Sequence, residues 1–156
     1  MRHALLPAVL FSTILAHAQG DLCTNAVLIG PGLYTADGPS TGAGATQGNA
    51  TNADWYAFET NQPGYITVNS CVDGVTDTRV IIHTGTCTNL TQLAIDDDGC
   101  PGGFPPGNSL VAGLAVVPGV TYYIEWDDRW STDGFTWDLM LHDCPGPYPP
   151  TFSTTD

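Results

Sequence analysis

Apolar and polar positions in this chain alternate with a period of two, in short runs separated by Gly, Pro, Asn and Asp, and no window carries a helical period. The first apolar run is Ala26-Val27-Leu28-Ile29. Bulky residues on both faces of 54–59 (Asp-Trp-Tyr-Ala-Phe-Glu) predict a strand covered on each side, with Trp55 in the interior. The turn Asn61-Gln62-Pro63-Gly64 leads into 65–71, whose regular alternation predicts a half-buried strand. Further strands are predicted over 77–84, 90–95, 109–117, 120–126 and 134–141, the last placing Trp137 in the core. Roughly eight strands at this spacing predict an all-β fold, an antiparallel β-sandwich. The stretch 30–52, dense in small residues, reads as a loop or a loosely paired edge and is assigned no chemistry.

The two ends read differently. Residues 1–18 have a short basic start, an apolar middle and Ala16-His17-Ala18, the features of a secretory signal peptide; the run is too short to span a bilayer. Residues 145–156 begin with Pro-Gly-Pro-Tyr-Pro-Pro, an extended tail or linker. Between them, 21–144 has the length of one domain.

Charge narrows the range of functions. The chain has 16 acidic residues, no lysine and a formal net charge of −13; beyond the leader, Arg79 and Arg129 are the only strong cations. Such a surface repels phosphate backbones and anionic lipid, which argues against nucleic-acid binding and membrane insertion. The acids are mostly aspartates, which favour turns.

Five cysteines follow the leader, and in an exported chain disulfides are the expectation. Cys71 and Cys87 flank what reads as one hairpin and are expected to pair. Cys23 and Cys144 bracket the domain and form the second expected pair, with Cys23 to Cys100 the alternative.

Leu93-Ala94-Ile95-Asp96-Asp97-Asp98-Gly99-Cys100 runs an apolar strand into three successive carboxylates. Neighbouring like charges require water, converging donors or a cation, so Asp96, Asp97 and Asp98 are candidate calcium ligands. Asp73, Asp77, Asp127 and Asp128 join them if the fold brings their turns together. Adjacent carboxylates in one turn are poorly placed to act as an acid and base across a glycosidic bond, and no nucleophile–base order supports them, so a hydrolase is the remotest reading. Trp126-Asp127-Asp128-Arg129-Trp130 supplies a second candidate site: Trp130, Arg129 and Trp126 as a contact for sugar faces or a protein matrix.

The order of these features resembles the bacterial pre-peptidase C-terminal domain. The resemblance rests on Asp54-Trp55-Tyr56-x-Phe58, then Gly64-Tyr65-Ile66-Thr67-Val68 ending near Cys71, then Asp77-Thr78 entering a strand that closes at Gly85-Thr86-Cys87. Leu90-Thr91-Gln92-Leu93-Ala94, Ser109, Pro118-Gly119-Val120-Thr121-Tyr122-Tyr123-Ile124 and Gly134-Phe135 follow in order. It implies a jelly-roll-like sandwich serving as a non-catalytic accessory or adhesion module of exported proteins, sometimes stabilised by calcium and sometimes ligand-binding. Related sequences often read Cys-Asn-Asp-Asp where this chain has Ala94-Ile95-Asp96-Asp97-Asp98, so the cysteine that might have partnered Cys100 has no counterpart here.

Overall fold

The computed structural model describes residues 20–39, 44–72, 76–101 and 107–143. The expected signal peptide, the tail, Cys144 and Asp73 lie outside them.

Among the described residues nine strands form: β1 Val27–Ile29, β2 Gly32–Ala36, β3 Ala53–Phe58, β4 Gly64–Asn69, β5 Arg79–Thr86, β6 Asn89–Asp96, β7 Leu110–Val116, β8 Tyr122–Asp127 and β9 Phe135–Asp143. They make a sheet in the order β1-β3-β8-β5-β6 and a second in the order β2-β9-β4-β7. With β1 set aside, β2 to β9 alternate between two four-stranded layers, broken only by the β5–β6 hairpin. This is the jelly-roll arrangement. The ninth strand is β2, which the small-residue stretch conceals: Leu33 and Tyr34 are its only large side chains, and it pairs at an edge with β9. One pair is parallel, β1 with β3; the others are antiparallel.

Alternation within the strands divides the side chains cleanly. Tyr56 and Phe58 of β3, Val80 and Ile82 of β5, Tyr122, Ile124 and Trp126 of β8 meet Ile66, Val68, Trp137 and Leu139 of the facing sheet in one core. The rings pack at angles that suit their quadrupoles, Trp126 to Phe135 at 5.0 Å and Tyr56 to Trp137 at 4.8 Å between centroids. Trp55 is buried, as expected, but on the opposite face of β3. There it stacks on His83, outside the core between the sheets. The edge strands β6 and β7 each carry a bulge against their partners, and in β7 it coincides with Gly113 at φ 72°. Bulged edges pair poorly with other chains, a useful property where no lysine guards them.

The disulfides differ from the expected ones: Cys23 bonds Cys87 and Cys71 bonds Cys100. The reason is topological. β4 and β5 follow each other in sequence but belong to opposite sheets, so Cys71 and Cys87 do not flank a hairpin. Cys87 sits at the tip of the β5–β6 hairpin, an eight-residue strand away. Cys71 instead meets Cys100 as both approach the carbonyl of Ser109.

Candidate functional site

The acidic turn, the Trp130 loop and the start of β7 lie at one end of the sandwich. A buried hydroxyl cluster anchors that end. Ser70 Oγ and Thr78 Oγ1 are 2.7 Å apart, Ser109 Oγ donates to the Thr78 carbonyl at 2.7 Å, and Asn108 Nδ2 donates to the carbonyls of Ser70 and Thr76. Every hydroxyl there has a partner, so the strand ends are fixed in register. Gly107 follows from the same requirement: its φ is +118°, and a Cβ there would lie 2.5 Å from Asp77 Cγ. Only glycine permits that approach.

The three carboxylates of the turn have separate environments. Asp96 is a structural cap, its Oδ1 accepting the backbone N–H of Gly99 at 2.8 Å and of Leu110 at 2.7 Å. Asp97 Oδ2 accepts the indole N–H of Trp130 at 3.3 Å. Asp97 and Asp98 act on Asp77, whose carboxyl is raised above its ordinary range first by burial and then by those two charges. Asp77, Asp97 and Asp98 are therefore neighbours, and Asp96 faces elsewhere.

The other expected metal ligands are occupied within the protein. Asp127 receives a two-pronged contact from Arg79, Nε at 2.9 Å and Nη2 at 2.6 Å from Oδ2, and its side chain is fully buried. Burial still outweighs the guanidinium and holds its carboxyl above the usual range. Asp128 accepts the Thr51 N–H at 2.7 Å and Asn52 Nδ2 at 2.8 Å, pinning the 44–52 segment. Among the described residues, no three His, Cys, Asp or Glu side chains converge as a metal ion requires.

Trp130 is 49% exposed. The Arg129 guanidinium lies 4.3 Å from its ring centroid, and Asp97 holds its N–H edge, so the ring has a fixed orientation. Trp126, expected beside it as a ligand contact, is 1% exposed and faces the core. Alternation along β8 puts it on the same side as Ile124, away from the loop.

A buried polar group also lies on the outer face of the five-stranded sheet. Glu125 Oε2 meets His83 Nε2 at 2.7 Å and accepts Thr46 Oγ1 at 2.6 Å, while Oε1 accepts the Thr46 N–H at 2.6 Å. Thr46 belongs to the small-residue stretch to which the sequence assigned no chemistry. The only sequence signal is a lone Glu among apolar residues in Tyr-Ile-Glu-Trp. Concavities among the described residues lie elsewhere or beside Thr46. One, of about 460 Å³, lies between Phe58, Glu59 and Leu141. The other, of about 230 Å³, lies between Leu22, the Cys23–Cys87 bond and Trp55. Neither includes Trp130 or the acidic turn.

Compared with known protein families, with curated proteins and with solved structures, the chain matches none.

Proposed function

We propose that this is a secreted, non-catalytic accessory or adhesion module whose ligand contact is the rim formed by Trp130, Arg129 and Asp97. The observation that carries the reading is the half-exposed Trp130 ring, oriented by two charged neighbours while the other tryptophans are buried. Fixing an apolar ring in water costs solvent free energy that packing does not recover, and rigid aromatics of this kind dominate binding surfaces. The ordered likeness to the pre-peptidase C-terminal domain points the same way. Two disulfides accord with an extracellular location, and no helix among the described residues is long and apolar enough to cross a membrane.

Charge favours one ligand class. The rim stands beside Asp77, Asp97 and Asp98 on a protein of net charge −13, so a neutral polysaccharide fits it and a polyuronate or sulfated glycan is repelled. Pull-down on insoluble neutral polymers is expected to retain the wild type and to release Trp130→Ala. Equal retention of both proteins would remove the rim from the account. A protein matrix is the other occupant, distinguished by binding to matrix proteins with none to glycans.

Calcium enters this proposal as a stabiliser. It would have to draw Asp77, Asp97 and Asp98 together from their present positions. If it does, the melting temperature rises with calcium and returns with chelator, and Asp98→Asn abolishes the rise; an identical melt under both conditions excludes it.

A further inference from the structure

A second acidic meeting point lies away from the rim, where three segments join at Asp54. Asp54 is on the core face of β3, 1% exposed, and its Oδ2 has no hydrogen-bond partner. The N-terminal segment reaches it through Gly20, which exchanges backbone hydrogen bonds with Trp55 at 3.2 and 2.6 Å, placing Asp21 beside it. The end of β2 reaches it through Gly38, whose N–H donates to the Asp54 carboxylate, with Asp37 adjacent. Gly38 is itself wedged against the next turn: a Cβ there would lie 2.2 Å from the Thr132 carbonyl.

The groups facing Asp54 are Asp21 from the N-terminal segment, Asp37 from the end of β2 and Tyr56 from its own strand. Its register partner on β8 is Trp126, which is uncharged, and the Asp133 backbone rests against Gly38. Among the described residues no cation contributes to its environment. The Arg79 guanidinium is bound to Asp127 on the opposite face of the sheet. The Tyr56 hydroxyl is another buried atom without a completed hydrogen bond, and burial followed by the Asp54 charge raises its pKa. An ionised Asp54 thus meets two like charges and an apolar core.

We infer that the junction of Asp54, Asp21 and Asp37 is a proton-operated latch: with a proton on Asp54 the N-terminal segment and the end of β2 stay clamped on β3, and without it they part. Burial, then Asp21 and then Asp37, push the Asp54 carboxyl up to about 7. The folded form therefore holds this proton more tightly than the unfolded chain, whose ordinary aspartate ionises near pH 3.8. The clamp is complete below about pH 3.8, weakens steadily as pH rises from there to about 7, and changes no further above it. Opening frees the two edges that lie next to the junction, β1 and β2.

Amide-exchange protection, corrected for intrinsic rates and followed from pH 5 to 9, tests this on the processed chain. Segments 20–29 and 32–38 are expected to lose protection progressively from pH 5 to about 7, on the order of tenfold or more, and to lose none beyond it, while β4 and β5 hold theirs throughout. Asp54→Asn is expected to keep full protection throughout. Protection that is flat in the wild type, or that falls equally in Asp54→Asn, would overturn the latch. Should that variant fold poorly, carboxyl-carbon NMR of the wild type reads the Asp54 midpoint directly, and Asp21→Asn and Asp37→Ala are each expected to lower it. A midpoint near 4 in the wild type would equally overturn the proposal.

Discussion

Two acidic regions of this molecule, one within β8 and one in the turn after β6, have opposite fates. On the outer face of the five-stranded sheet, Asp127 and Glu125 are buried, and each has partners: Arg79 for one, His83 and Thr46 for the other. At the rim, Asp97 and Asp98 stand beside Asp77, and among the described residues the Trp130 indole is the donor to Asp97. The difference lies in what covers each region. The 44–52 segment folds over the sheet face and brings Thr46 to Glu125, so charge there must be compensated or it would be prohibitively costly. Among the described residues none covers Trp130, which is half-exposed, and carboxylates left at such a surface are solvated at little cost. The paired buried charges hold strands and segments together; the rim carboxylates stay at the surface.

The comparison breaks most severely at Arg79. Arg79→Ala leaves Asp127 buried and unpaired, and denaturant unfolding at pH 7 is expected to show a loss of about 3–5 kcal/mol. Replacing Asp127 as well, by Asn, is expected to restore part of that loss, since the uncompensated charge goes too. A loss below about 1 kcal/mol for Arg79→Ala would place this pair with ordinary surface ion pairs.

Asp54 sharpens the comparison with the opposite sign, being buried without a counter-charge. Asp54→Asn is expected to stabilise the protein by about 1–2 kcal/mol at pH 8, a figure discounted for solvent screening, with the gain vanishing by pH 4, where the wild type holds its proton. A chemical-denaturation series across that pH range gives the sign. Destabilisation at pH 8 would mean that the ionised carboxylate has a partner.

The smallest effect on stability is expected at the rim. Trp130→Ala should change the unfolding free energy by no more than about 0.5 kcal/mol, because a half-exposed ring contributes little packing. A much larger loss would identify Trp130 as a structural cover for the sandwich edge.

The fold was legible because β-forming runs bounded by turn residues mark each strand from β3 to β9, by alternation in β4 and by bulky residues on both faces in β3. The strand β2 was not, since it occupies an edge where pairing with β9 replaces side-chain burial as the organising force. The disulfides were misread because sequence adjacency suggests a hairpin, whereas a jelly roll sends β4 and β5 to different layers. At the candidate site, Trp130 and Asp97 stood out as a large ring and a carboxylate in polar loops. Trp126 did not separate from them, because a two-residue repeat gives the faces of a strand without saying which is covered. The Arg79–Asp127 pair joins residues 48 apart, and Asp54 is opposed by charges from two other segments. No local pattern encodes such meetings.

The central claim is the proposal that the buried Arg79–Asp127 and His83–Glu125 pairs serve the fold while the Trp130 rim serves a ligand. Its most direct test is retention on an insoluble neutral polysaccharide, measured for the wild type and for Trp130→Ala after both are shown to melt at the same temperature. Retention of the wild type alone is the predicted result. Equal retention of the two proteins, or retention of neither on the polysaccharide and on matrix proteins alike, would contradict it.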